Sequence, residues 1–90
     1  MPINRSRDTE MAVTVKLFAV YREMLGESEL RLDHVAGRTV DELFTYLFID
    51  KAPEPLRRAT LFAINERYVR PGTEISDGDR VAFIPPVSGG

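Results

Sequence analysis

Apolar and polar residues alternate with a period of two along Val13-Thr14-Val15-Lys16-Leu17, and Phe18-Ala19-Val20 continue the run as apolar residues. The segment is rich in β-branched residues, so a strand is expected over residues 13–20. Val13, Val15, Leu17 and Ala19 share one face, and Thr14, Lys16, Phe18 and Val20 the other. A helical turn over residues 21–25 follows, stopped by Gly26. Alternation resumes over residues 27–33, with Leu30 and Leu32 inward and Glu29, Arg31 and Asp33 outward, which reads as a second strand hairpinned to the first. The period then changes. Thr39-Val40-Asp41-Glu42 fits a capping box, and Val40, Leu43, Phe44, Leu47 and Phe48 form the apolar stripe of an amphipathic helix that ends before Pro53. Residues 54–59 read as a connector with a helical turn. Leu61-Phe62-Ala63-Ile64 is continuously apolar, as in a strand central to its sheet, and residues 80–84 form the last strand. Turns fall at 65–67, 71–72 and 76–79, with a brief pairing at Tyr68-Val69. The order β-β-α-β-(short β)-β predicts an α+β fold of β-grasp (ubiquitin-like) type: a mixed sheet of four to five strands with one main helix packed on one face.

After residue 84 the pattern stops. Pro85-Pro86 stiffens the exit from the strand, and the sequence closes on Val87-Ser88-Gly89-Gly90. Three segments are expected: an extension over residues 1–11, a β-grasp domain over 12–84, and an extended, flexible tail over 85–90. Two glycines without Cβ atoms make a thread narrow enough to enter a confined active site, and they present an α-carboxylate. A carboxylate is a poor electrophile, so chemistry at Gly90 requires activation, most simply by ATP to an acyl-adenylate.

Composition narrows the function classes. The 90 residues are 43% hydrophobic and 29% charged, with a net charge of −2, as expected of one globular domain. That balance offers no basic footprint for nucleic acid and no polybasic anchor for a membrane. With no cysteine, the chain has neither a thiol nucleophile nor a thiolate metal site. Any sulfur it carries has to ride on the C-terminus. The absence of cysteine also fits a reducing cytoplasm.

Side chains that could host chemistry have simpler roles. His34 is the only histidine and lies in a loop. Asp77 and Asp79 flank Gly78 in a turn, where carboxylates serve turn geometry. Asp41 and Glu42 sit in the first helical turn, where they complement the helix dipole. Arg57-Arg58 reads as a solvated charged pair rather than a phosphate site. No autonomous active site, bound cofactor or metal is expected, and the reactive group is the terminus.

Phe83-Ile84-Pro85-Pro86-Val87-Ser88-Gly89-Gly90, Ile64-Asn65 with Ser76-Asp77-Gly78-Asp79-Arg80-Val81-Ala82-Phe83, and Val15-Lys16-Leu17-Phe18-Ala19 with Arg22-Glu23 carry a family resemblance. Together they resemble the small subunits of molybdopterin synthase, the MoaD-type members of the MoaD/ThiS ubiquitin-like sulfur carriers. The Pro-Pro-Val element favours that branch over carriers for thiamine, cysteine or tRNA thiolation. A ubiquitin-like modifier of target lysines stays open, as does a plain β-grasp interaction module with an incidental Gly-Gly. The resemblance implies a cytoplasmic carrier whose Gly90 is adenylated with ATP by a ubiquitin-activating-type enzyme. A sulfurtransferase then leaves a thiocarboxylate. This donates sulfur to a cyclic pyranopterin monophosphate within a heterotetramer of two small and two large subunits. It implies a tunnel-lining role for Pro86, Val87, Ser88 and Gly89, and a partner-facing role for Phe18, Arg22 and Ile84. Phe18 also qualifies by alternation, lying opposite the Val15/Leu17 face; the other use for that position is to cover a second small core.

Overall fold

The computed structural model describes residues 12–86. Five strands, β1 (Val13–Leu17), β2 (Glu29–Leu32), β3 (Leu61–Ile64), β4 (Arg67–Val69) and β5 (Arg80–Ile84), form one sheet in the order β2-β1-β5-β3-β4. β1 and β5 run parallel, and the other neighbours are antiparallel. Three helices accompany them: α1 (Ala19–Leu25), α2 (Val40–Phe48) and α3 (Glu54–Arg58). The mixed sheet and main helix match the expected architecture. β3 is paired on both sides, as its apolar run implies, while β5 holds the middle.

α2 forms where both halves of its cap are local. The Thr39 backbone N–H donates to Glu42 Oε1 at 3.0 Å, and the Glu42 N–H donates to Thr39 Oγ1 at 3.1 Å. Its stripe of Val40, Leu43, Phe44 and Phe48 is buried, facing Val13, Val15, Leu17, Phe62, Ile64, Val81 and Phe83 of the sheet. Phe44 packs edge-on to Phe62 and Phe83, with ring centroids 5.4 and 5.0 Å away. The helix stops at Phe48, ahead of Pro53. The chain tightens there, with Ala52 N–H donating to the Phe48 carbonyl and Ala52 itself buried.

The expected strand over residues 13–20 is shorter than its pattern. It ends at Leu17, and Ala19 and Val20 open α1 instead. The reason is tertiary. A helical turn here brings Tyr21 wholly inside, between Phe44 and Phe48, with centroids 5.4 and 4.6 Å away. That burial overrides the local β preference. Ala19 takes a φ of 48° to make the bend, and Gly26 closes the helix at φ 74°, its N–H donating to the Arg22 carbonyl.

Tyr21 is also wired. Its hydroxyl lies 2.6 Å from Thr60 Oγ1, which is 2.8 Å from the Leu56 carbonyl. Thr60 has one hydroxyl proton and gives it to Leu56, so Tyr21 donates to Thr60. Burial pushes the Tyr21 phenol above its usual range, against smaller opposing effects of Thr60 and Arg57. A raised folded-state value means that the folded chain keeps a proton which the unfolded chain begins to lose near pH 10. The stability tied to Tyr21 is therefore complete below about pH 10 and declines as pH rises from there through the folded value. Tyr21→Phe is expected to cost about 1 kcal/mol at pH 7 and to remove that part of the alkaline decline. Urea melts at pH 7 and pH 10.5 check both; parallel losses in the two proteins refute the linkage.

Candidate functional site: an uncovered sheet face

One face of the sheet carries α2. The other is built from the alternate residues of each strand, and no helix among the described residues packs across it. The registers place Glu29, Lys16, Ala82, Ala63 and Tyr68 side by side across all five strands. Two alanines in the middle of that row make a low floor. The next row pairs Leu61 with Ile84. The result is an open trough of about 350 Å³ with Lys16, Phe18, Ala63, Glu66, Tyr68, Arg80, Ala82 and Ile84 in its lining. Its large apolar side chains are exposed, Phe18 by 43% and Tyr68 by 71%, and Leu61, outside the lining but paired with Ile84, is 54% exposed. Lys16 is tied to Glu29 at 3.6 Å, which neutralises one margin.

Of the three expected partner-facing residues, the fold brings two together. Phe18 and Ile84 line the trough, and Phe18 keeps 43% of its surface exposed there. Arg22 lies on α1, exposed and outside the trough lining. Ile84 ends β5, and Pro85-Pro86 leave directly from the trough's apolar end, with Pro86 exposed. Val87, Ser88, Gly89 and Gly90 lie outside the described residues, as does the extension over 1–11.

Ala63, Glu66, Tyr68 and Ala82 were not singled out from sequence. The available signal was the unbroken apolarity of Leu61-Phe62-Ala63-Ile64, which asks for burial on both faces. Phe62 and Ile64 find it in the core, while Leu61 does not find it among the described residues.

Several other polar groups make bonds within the fold. Asp79 accepts from Asn65 Nδ2 at 2.9 Å and from the Ser76 N–H at 2.8 Å, and Asn65 Oδ1 accepts from the Arg80 N–H at 3.0 Å. This network locks the turn before β5 to the β3–β4 hairpin, which accounts for Asn65 and Asp79. Arg57 Nε donates to the Ala52 carbonyl at 3.0 Å, and Arg58 pairs with Glu54 at 2.8 Å. His34 sits in a loop at φ 65°. Among the described residues no group of three His, Cys, Asp or Glu side chains is placed to hold a metal, and no helix is long and apolar enough to cross a membrane.

Against known proteins, residues 15–90 match the ThiS family. The chain is 35% identical over 83 residues to the molybdopterin synthase sulfur carrier subunit of Chlamydomonas reinhardtii, covering 89% of this chain and all of that one. Its fold is similar to that of a putative molybdopterin converting factor subunit 1 from Pyrococcus furiosus, with TM-score 0.65, 30% identity, and 86% and 99% of the two chains covered. It is similar to small archaeal modifier protein 1 from Methanosarcina acetivorans at TM-score 0.64 and 30% identity, covering 88% and 96%.

Proposed function

Since the chain belongs to the ThiS family, we propose that it is the sulfur-carrier subunit of a molybdopterin synthase, working in the cytoplasm with Gly90 as the sulfur attachment site. The observation that carries the proposal is the placement of the apolar trough. It lies along β5, and the chain leaves its apolar end at Pro85-Pro86, four residues before Gly90. A partner seated on Phe18, Ala82, Ile84 and Tyr68 receives the tail beside the same contact. The relatives' description as a subunit of molybdopterin synthase supports a large subunit as that partner.

In this scheme ATP converts the Gly90 carboxylate to an acyl-adenylate on a ubiquitin-activating-type enzyme. Sulfur delivered as a persulfide by a sulfurtransferase attacks the acyl carbon and displaces AMP, and a thiol then cleaves the resulting acyl disulfide by two-electron reduction, leaving a thiocarboxylate and a disulfide. The carrier then docks its trough on the large subunit and feeds Pro86, Val87, Ser88 and Gly89 along a tunnel. The sulfur passes to a cyclic pyranopterin monophosphate, two transfers completing one dithiolene, and the carrier departs with its carboxylate restored. Two small and two large subunits make the proposed assembly. This chain's part is positioning: a rigid face that docks, a stiff diproline, and a thread without Cβ atoms at its end.

A single-turnover experiment tests it. The protein bearing a C-terminal thiocarboxylate is mixed with the large subunit and the cyclic precursor, and the carrier's intact mass and dithiolene formation are followed together. Loss of the sulfur mass coupled to dithiolene appearance is expected. A persistent thiocarboxylate, with the large subunit shown active on another carrier, refutes the assignment in favour of other thiolation pathways or a protein modifier.

A further inference from the structure

The β3–β4 hairpin turns through two residues, Asn65 and Glu66, between the paired Ile64 and Arg67. Both have positive φ, 53° and 71°, the arrangement of a type I′ turn, which favours Asn followed by Gly. Asn65 is suited to it: its side-chain amide is bonded to Asp79 and to the Arg80 N–H. Glu66 is not. A residue with a Cβ is strained in this region, and among the described residues no hydrogen bond or ion pair holds its carboxylate. Its side chain lines the trough. Strain of this kind clusters at functional sites, and unlike Ala19 and His34, which share a positive φ, Glu66 lies in the trough lining.

We infer that Glu66 is a specificity-determining residue of the docking face, its carboxylate engaging a cationic side chain of the large subunit at the end of the trough opposite the tail. The inference rests on the docking face proposed above. The geometry favours a register role. Arg80 and Ile84 bound β5, so the charged end stands roughly 13 Å from the apolar end where the tail departs. An apolar trough by itself lets a partner slide, and a charge at one end fixes where along the strand it sits, and hence how far the tail reaches. The other charges near that end do not substitute. Lys16 is already paired with Glu29, and Arg80 and Arg31, in one row across Thr14, have the opposite sign.

The test measures affinity of the full chain for the large subunit at about 50 mM and 500 mM salt, with Glu66→Gln, Glu66→Gly and Phe18→Ala. Glu66→Gln keeps the turn's strain and removes the charge; Glu66→Gly removes both. Both are expected to weaken binding about 3- to 5-fold at low salt, the range for an exposed ion pair, with the difference from wild type shrinking at high salt. Glu66→Gly is expected at the same time to raise the melting temperature by about 4 °C. A protein that is more stable and binds less well is an outcome that a purely structural glutamate does not give. Wild-type affinity in both Glu66 variants, alongside weakened binding by Phe18→Ala, overturns the role of Glu66 alone. Wild-type affinity in all three overturns the docking face, and this inference with it.

Discussion

Removal of Gly90 is expected to reduce thiocarboxylate formation and sulfur transfer by at least about a thousand-fold while leaving the melting temperature unchanged. The truncated chain still ends in a glycine, Gly89, so the width of the thread and the chemistry of its carboxylate are preserved. What changes is reach. One residue of extended chain spans about 3.3–3.6 Å, and a misplacement of roughly 1 Å at a reacting centre already costs about a hundred-fold. The fold has no stake in the change. The last strand ends at Ile84, and the core is complete at Phe83. Gly89→Ala separates clearance from reach: it restores the length, adds one Cβ, and is expected to slow adenylation or transfer less severely. Intact-mass measurement after incubation with the activating enzyme, ATP and a sulfur donor reads both variants. A truncated chain that acquires sulfur at the wild-type rate removes Gly90 from the mechanism.

How much of this was open to sequence depended on the distance over which each feature is decided. The capping box of α2 and its stripe were legible because Thr39, Glu42, Val40, Leu43, Phe44 and Phe48 all act within three turns of one helix. The alternation of β1 and β2 was legible for the same local reason. The end of β1 was not. Phe18-Ala19-Val20 continues a β-like pattern, and only the pocket formed by Phe44 and Phe48, more than twenty residues on, explains why the chain turns to insert Tyr21. The site divides in the same way. Alternation put Phe18 opposite the Val15/Leu17 face, and from its place just after β1 it lines the trough. Arg22 belongs to the same short stretch of sequence, but α1 carries it off the sheet face. The row of Lys16, Ala82, Ala63 and Tyr68 depends on three separate strand registers, one parallel and two antiparallel, and no local pattern contains it. The value of small residues at positions 63 and 82 becomes visible only when they are seen as neighbours.

Those two alanines set the second large effect. Ala82→Arg is expected to weaken association with the large subunit by more than a hundred-fold while leaving the isolated carrier folded. Ala82 sits on β5 between Lys16 and Ala63, in the middle of the trough floor. In the free protein an arginine there extends over an open face and keeps its guanidinium in water, with its stem lying on apolar surface. The expected loss of stability is below about 1 kcal/mol. In the complex the same group is pressed into the centre of an apolar contact. It then either holds the partner away from Phe18 and Ile84 or is buried without a counter-charge, and each is expensive. Lys16, the nearest charge in the row, has the same sign, and the Glu66 carboxylate in the trough lining is taken up by the partner in the docking scheme above, so neither offers relief. Two controls fix the interpretation. Ala82→Ser changes the floor by one small hydroxyl and is expected to bind within a few-fold of wild type. Arg22→Ala alters a side chain outside the trough and is expected to behave likewise. Titration calorimetry against the large subunit, with a thermal melt of each variant, makes the comparison. Ala82→Arg binding within three-fold of wild type places the large subunit elsewhere on the molecule and separates the tail's delivery from the face along which β5 runs.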